Sequence, residues 1–112
     1  MGETVLIVDD HAAFRGFARR LLEADGMTVI GEAGDGESAI AAARELDPDL
    51  VLLDVMLPDI DGFAVAERLT GRARVVLTSS RELDDLRERL ARTAARGFIP
   101  KAELSAEALR AL

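Results

Sequence analysis

Three short, uninterrupted apolar runs constrain the fold of this chain most: TVLIV (4–8), LVLL (50–53) and VVL (75–77). Continuous runs of this length are typical of parallel strands that are covered on both faces of a sheet. A fourth run, MTVIGEA (27–33), is more mixed, and GFIP (97–100) contains Pro100. Because proline cannot donate a hydrogen bond to a strand ladder, we expect this last run at a sheet edge.

Amphipathic helical segments separate the apolar runs. The first covers about 14–22 and ends before Gly26, the second covers 37–46 and stops before Pro48, and the third covers about 62–69 with Asp61 as its N-cap. The fourth carries Leu83, Leu86 and Leu90 on one face, with Asp85–Arg89 and Glu88–Arg92 pairs outside. The last begins at Ser105 and reaches only Leu112, which would leave it cut short.

Five alternating strand and helix signals predict a single α/β domain over residues 1–112, a doubly wound (βα)5 fold with a five-stranded parallel sheet. In the common strand order 2-1-3-4-5, strands 1 and 3 are neighbours, and ligands bind where their carboxyl ends diverge. Asp9 and Asp10 follow strand 1, and Asp54 follows strand 3. The sequence therefore predicts three carboxylates at one point of the sheet.

Composition excludes several classes of function. The chain has 112 residues, a net charge of −7 and no cysteine, which rules out disulfides, thiolate metal sites and a cysteine nucleophile. The chain has no basic stripe, so we expect no direct binding to nucleic acid. No apolar run approaches the length of a membrane span, and no basic region precedes the first run as in a signal peptide, so we expect a cytoplasmic domain without membrane contact. Lys101 is the one lysine beside thirteen arginines, which marks it as functional.

The predicted site combines carboxylates, hydroxyls and an ammonium group. Three neighbouring carboxylates repel one another unless a cation joins them, and oxygen ligands suit Mg²⁺. Thr78 and Ser79 end strand 4, and Lys101 follows strand 5 at the same edge. This set fits nucleophilic catalysis at phosphorus, in which an aspartate forms an aspartyl-phosphate.

Four segments in order carry a family resemblance: VDDHAAF, LLDVMLPDIDGF, VVLTSS and GFIPK. Over essentially its whole length the chain resembles the receiver domain of response regulators in two-component signalling, which has a flavodoxin-like fold. GEAGDGESA and RGFIPKAEL look most similar to receivers that carry a LuxR-type DNA-binding output domain.

The resemblance implies a role for each acidic residue and for the lysine. Asp54 would accept a phosphoryl group from a sensor histidine kinase. Asp10 would bind Mg²⁺ directly, Asp9 mostly through water, and Met56 through its backbone carbonyl. Asp54 would also belong to the metal site. Lys101 would hold a phosphoryl oxygen.

The resemblance also implies a switch. Thr78 would hydrogen-bond the phosphoryl group, and Phe98, three residues before the lysine, fits the aromatic switch position. Two departures from the family stand out: Ala102 replaces a proline that often follows the lysine with a cis bond, and one extra residue separates Thr78 from Lys101. The extra residue leaves Ser79 as an alternative switch hydroxyl, although Thr78 directly follows the strand and is favoured.

Phosphorylation would change the surface of helix 4, strand 5 and helix 5. The changed surface would favour a different partner or a homodimer. The chain is expected to be either part of a longer transcription factor or a stand-alone receiver.

One rival function is a pseudo-receiver that binds partners without phosphorylation. The other is a phosphatase of the haloacid dehalogenase type, suggested by DIDGF (59–63). Asp59 and Asp61 are predicted to shape a turn and a helix cap instead, and His11 to lie in the first helical turn.

Overall fold

One five-stranded parallel sheet forms the centre of the molecule. The computed structural model describes residues 3–80, 83–93 and 95–112. The strands lie in the order 2-1-3-4-5, as predicted. Their bounds are β1 Thr4–Val8, β2 Thr28–Ala33, β3 Leu50–Asp54, β4 Arg74–Ser79 and β5 Gly97–Pro100. The last strand is at the sheet edge, where Pro100 removes no donor that the sheet needs.

Five α-helices alternate with the strands: α1 Ala12–Ala24, α2 Gly36–Leu46, α3 Gly62–Leu69, α4 Leu83–Leu90 and α5 Ala106–Arg110. A 3-10 turn, Lys101–Glu103, joins β5 to α5. Across the described ranges, every helix is too short or too polar to traverse a lipid bilayer.

The strands bury side chains on both faces of the sheet, which explains why their apolar runs are uninterrupted. Leu50 and Leu52 pack in the cluster that holds the apolar side chains of α1 and α5. Val51 and Leu53 pack in the opposite cluster, with those of α2, α3 and α4. Burial of each such side chain stabilises the fold by about 1.5–3 kcal/mol.

The central strands extend further than their apolar runs suggest. Asp54 is the last residue of β3 and pairs in register with Thr78, and Ser79 pairs with Pro100. Polar residues therefore lie inside the ladder at its carboxyl edge, where the backbone hydrogen bonds continue past the last apolar side chain.

The predicted ends of α2 and α3 agree with the structure to within one residue, whereas α1 is two residues longer at each end than predicted and α5 ends at Arg110. The Asp61 side chain caps α3, with Oδ1 accepting from Phe63 N at 2.7 Å. The Glu88–Arg92 pair is present at 3.2 Å. The side chains of Leu83 and Asp85 lie outside the described residues, and Arg89 pairs with Asp61 at 2.6 Å.

The loop from β3 to α3 folds back closely on itself at Gly62. The Gly62 N–H donates to the Val55 carbonyl at 3.0 Å. A Cβ at this position would lie 2.5 Å from Val55 Cα and closer still to the Asp54 carbonyl oxygen. Backbone atoms cannot move aside as a flexible side chain can, so only glycine fits here.

We expect Gly62→Ala to lower the free energy of unfolding by about 1–3 kcal/mol, the usual cost of overpacking. Gly16→Ala is the matched control, because the nearest atom to its new Cβ is the flexible end of Arg20, at 3.5 Å. In the interior of α1 that change should stabilise by about 0.5–1 kcal/mol. Urea unfolding followed by circular dichroism measures both, and equal midpoints for the two variants would contradict this account of Gly62.

Candidate functional site

Asp9, Asp54 and Lys101 meet at the carboxyl edge of the sheet. Asp9 follows β1, Asp54 ends β3 and Lys101 follows β5. The Lys101 Nζ lies 2.6 Å from Asp9 Oδ2 and 2.9 Å from Asp54 Oδ2. The strand order predicts that the three residues share one edge of the sheet, and there one ammonium group bridges the two buried carboxylates.

The Asp54 carboxyl is buried at the end of the most apolar strand. Its Oδ1 accepts a hydrogen bond from the Met56 N–H at 2.8 Å, and its Oδ2 faces Lys101. Burial and the neighbouring Asp9 carboxyl together raise the pKa of Asp54, and the Met56 N–H and Lys101 oppose this rise only in part. The ionised form of Asp54 is therefore held at a cost that an additional cation would relieve.

Asp9 is fully buried but is stabilised as the anion. Burial acts to raise the pKa of Asp9, yet Lys101, the Asp54 carboxyl and the His11 N–H outweigh it and hold this pKa below its ordinary value. Asp9 Oδ1 accepts from His11 N at 2.8 Å. The Arg15 guanidinium donates to the Asp9 carbonyl at 2.6 Å, which fixes the backbone of this turn.

Lys101 is enclosed by its partners and by an aromatic ring. Burial alone would lower the pKa of Lys101, but the Asp9 and Asp54 carboxylates raise it above its ordinary value. The Nζ lies 4.4 Å from the centroid of the Phe14 ring, a cation–π contact from the first helix. From the sequence, position 14 was expected only to begin the first helical segment. The signal that could have found it is an aromatic residue in the turn after the acid pair.

A group of four residues could hold a metal ion at this edge. One ligand atom from each of Asp9, Asp10, His11 and Asp54 lies within 4.8 Å of the other three. Asp9 Oδ2 is buried and forms an ion pair with Lys101 at 2.6 Å. Two buried carboxylates that share one ammonium, with Asp10 beside them, leave an excess of acidic oxygens, and this fits a hard divalent cation.

His11 is at the exposed rim of this group. Its Nδ1 lies 3.1 Å from Asp10 Oδ1 and 3.2 Å from Asp9 Oδ1. It precedes α1 at the N-cap position, close to its predicted place.

A cleft of about 440 Å³ opens beside Asp54. Asp10 and His11 line one part of it, residues 56–58 another, and Ser79 and Ser80 a third. The cleft can admit a phosphoryl group next to the Asp54 carboxylate. Met56, to whose carbonyl the family resemblance assigns a metal contact, is one of the lining residues.

The two candidate hydroxyls lie in different surroundings. Thr78 Oγ1 donates to the Ile99 carbonyl of β5 at 2.7 Å in a buried position. Ser79 is also buried, and it lines the cleft. Phe98, in β5, is half-buried against the core cluster that includes Leu77. The hydroxyl and the aromatic candidate for the switch are thus linked through one strand pairing.

The acids of DIDGF are engaged away from Asp54. Asp61 caps α3 and pairs with Arg89, which also lies over the Phe63 ring at 4.2 Å. The Asp59 carboxylate accepts from Gly36 N at 2.7 Å and Glu37 N at 3.0 Å, at the start of α2. The turn and cap roles predicted for these acids agree with these contacts, but the link from Asp59 to another helix was not predicted.

We expect Asp54→Asn to stabilise the protein at neutral pH. Because the folded-state pKa of Asp54 is raised, the folded protein binds its proton more tightly than the unfolded chain, and ionisation lowers stability as the pH rises. Removing that charge should add on the order of 1 kcal/mol at neutral pH, the usual size of a single-residue effect. The gain should shrink as the pH falls towards 3.8, the ordinary value of the group.

Urea unfolding at several pH values measures this difference. Glu45→Gln, which removes one exposed charge far from the site, corrects for the change in net charge. A stability difference between Asp54→Asn and wild type that does not vary with pH would contradict the conclusion that ionisation of Asp54 destabilises the folded protein.

Comparison with known proteins agrees with the family resemblance and with the geometry of the site. Residues 5–112 match the family described as the response regulator receiver domain. The response regulator GacA of Pseudomonas viridiflava is 38% identical over 112 residues, which cover 96% of this chain and 52% of GacA. The chain spans about half the length of the curated relatives it matches.

Solved structures of receiver domains superpose closely. The signal receiver domain of NarL from Mycobacterium tuberculosis gives a TM-score of 0.88 at 30% identity, over 98% of this chain and 94% of that one. A LuxR-family two-component response regulator from Aurantimonas sp. gives 0.85 at 29% identity, over 99% and 82%. With its acid pair, buried aspartate and bridging lysine at the carboxyl edge of a 2-1-3-4-5 sheet, the chain belongs to the receiver domains of response regulators.

Proposed function

We propose that this domain is a signalling switch that is phosphorylated on Asp54 by a sensor histidine kinase. The observation that carries the proposal is the Lys101 ammonium, which bridges buried Asp9 and Asp54 beside a cleft. A structural ion pair needs one carboxylate for one lysine, whereas here two buried carboxylates share it and Asp10 stands at the rim. This excess of negative charge suits a site that takes up a cation and a phosphoryl group.

In the proposed reaction an Asp54 carboxylate oxygen attacks the phosphorus atom of a phosphohistidine. A P–O bond forms, the P–N bond breaks, and its electron pair returns to the imidazole nitrogen of the kinase. Lys101 supplies positive charge at the phosphoryl oxygens without transferring a proton. Phosphoryl transfer depends mainly on position and charge neutralisation, and residues fixed by three neighbouring strands provide both.

The acidic group is the proposed Mg²⁺ site. Asp10 and Asp54 would hold the ion directly, Asp9 mostly through water, and Met56 through its carbonyl. The bound ion would supply Lewis-acid stabilisation of the negative charge on the phosphoryl oxygens. Asp9 and Lys101 would keep the Asp54 carboxylate oriented towards the cleft.

The switch would begin at the end of β4. A phosphoryl group on Asp54 adds about 1.5–2 negative charges next to Thr78, the register neighbour of Asp54. To reach that group, the Thr78 hydroxyl must leave the Ile99 carbonyl, to which it donates at 2.7 Å. Loss of that bond would change the position of β5 and the packing of Phe98. The surface of α4, β5 and α5 would then favour a different partner or a homodimer.

We propose a LuxR-type DNA-binding domain as the output, and the cytoplasm as the compartment. The LuxR-family receiver among the structural relatives and the half-length coverage of the curated relatives support an output domain outside this chain. This domain itself would act as a regulator of the output domain. The only reactions it would catalyse are its own phosphorylation and dephosphorylation. Met56 and Ser80, which line the cleft, would influence the rate of hydrolysis.

Acetyl phosphate with Mg²⁺ tests the proposal directly on a Phos-tag gel. We expect wild type to be modified and Asp54→Ala to remain unmodified. Lys101→Ala should be modified at least about 10²-fold more slowly, because a preorganised charge is lost. Asp35→Ala, which alters a helix cap outside the site, should be modified like wild type.

Each rival function has its own outcome. If wild type is not modified and its NMR spectrum does not change when beryllofluoride is added, a pseudo-receiver is supported. Rapid turnover of a generic phosphate ester would support a phosphatase. An equal shift in Asp54→Ala would remove Asp54 from the reaction.

The identity of the switch hydroxyl can be tested with Thr78→Val and Ser79→Ala. We expect beryllofluoride with Mg²⁺ to shift the amide resonances of Phe98 and Ile99 in wild type and Ser79→Ala. In Thr78→Val these shifts should be lost while those around Asp54 remain, because the hydroxyl that contacts Ile99 is missing. The opposite pattern would assign the switch to Ser79.

A further inference from the structure

The Asp59 carboxylate joins the loop after Asp54 to a different helix. Its Oδ1 accepts from Gly36 N at 2.7 Å and from Ile60 N at 2.8 Å, and its Oδ2 accepts from Glu37 N at 3.0 Å. The first N–H groups of a helix have no acceptor within the helix, and a carboxylate there is favoured by the helix dipole. These N–H groups lower the pKa of Asp59, although burial opposes them.

The helix α2 has a local cap as well. Asp35, its N-cap, accepts from Ser38 N at 2.7 Å. Asp35 is adjacent to the helix in sequence, and within the described part of the chain its side chain caps only that helix end. Asp59 comes 23 residues after Gly36 and is part of the β3–α3 loop. Two carboxylates therefore share one helix end, and only one of them connects it to the phosphorylation site.

Close packing accompanies the hydrogen bonds. A Cβ at Gly36 would lie 2.9 Å from Ile60 Cβ and 3.0 Å from Val65 Cγ2. The loop thus rests directly on the backbone of α2, and glycine is the residue that allows this approach.

The loop that Asp59 holds lines the site. It begins at Asp54, and residues 56–58 form part of the cleft. The Met56 N–H donates to Asp54 Oδ1, and the Gly62 N–H closes the loop on Val55. These two bonds fix the ends of the loop, and Asp59 fixes its middle.

We propose that Asp59 is a positioning residue of the phosphorylation site. Through Gly36 and Glu37 it holds the loop against α2 and so keeps the Met56 carbonyl and the cleft wall in place. Without this link the loop must be ordered when the cation or the phosphoryl group binds, and that ordering lowers affinity. The inference rests on the proposed function for its effect on phosphorylation, but its effect on the loop does not.

The test compares Asp59→Ala with Asp35→Ala. Both variants lose a carboxylate at the same helix end, so both should lower the urea midpoint, but only Asp59→Ala frees the loop. The chain has no tyrosine and no tryptophan, so ¹⁵N NMR is the natural probe. We expect the Met56 and Gly62 amides to exchange faster with solvent in Asp59→Ala than in Asp35→Ala.

Binding and reaction give the second readout. In Mg²⁺ titrations the dissociation constant should rise roughly tenfold in Asp59→Ala, the size typical of residues that support metal ligands, and about twofold or less in Asp35→Ala. Asp59→Asn keeps one acceptor oxygen and should give an intermediate value. Gly36→Ala keeps the Asp59 carboxylate, but its new Cβ would lie 2.9 Å from Ile60 Cβ and 3.3 Å from Asp59 Oδ1, so it disturbs the same contact and should resemble Asp59→Ala. The rate of modification by acetyl phosphate should follow the same order.

Equal amide exchange and equal Mg²⁺ affinity in Asp59→Ala and Asp35→Ala would overturn the inference. If wild type takes up no phosphoryl group, the proposed function fails, and amide exchange still decides whether Asp59 positions the loop. If wild type is modified normally and Asp59→Ala is modified at the same rate, the inference alone fails.

Discussion

The contact of Lys101 with Asp9 and Asp54 is the interaction on which the functional edge of this domain depends. The two carboxylates are buried, and without the ammonium they would repel each other in surroundings that solvate them poorly. With it, Asp9 is held as an anion while Asp54 retains a raised pKa. The lysine therefore stabilises an arrangement in which one carboxylate ionises more easily than the other.

The sheet places these three residues without help from local sequence. Asp9, Asp54 and Lys101 are far apart in the chain, but the strands that precede or contain them run in parallel and end at one edge. Apolar packing on both faces fixes the register of those strands. The precision of the site is thus set by the core, and the loops add the remaining groups around it.

The five strands and the edge where Asp9, Asp54 and Lys101 meet could be predicted, because apolar runs mark the strands and the common doubly wound order 2-1-3-4-5 places these residues at one edge. Thr78 and Ser79 end β4 as predicted, whereas Asp54, which was expected to follow β3, is the last residue of that strand. The contacts of Phe14 with Lys101 and of Asp59 with α2 were also missed. They depend on how separate elements pack against each other, which periodicity within one segment does not encode. The extra residue between Thr78 and Lys101 falls in a stretch that the structure describes in part.

The ion pair between Arg89 and Asp61 has a consequence for how the molecule responds to its solvent. Both side chains are about half exposed, at 53% and 42%, whereas those of Lys101 and Asp9 are at 15% and 0%. Exposed pairs are screened by dissolved ions much more than buried ones. Rising ionic strength should therefore loosen the attachment of α4 to α3 and leave the three charges at the sheet edge almost unaffected. The two parts of the domain differ in their sensitivity to salt.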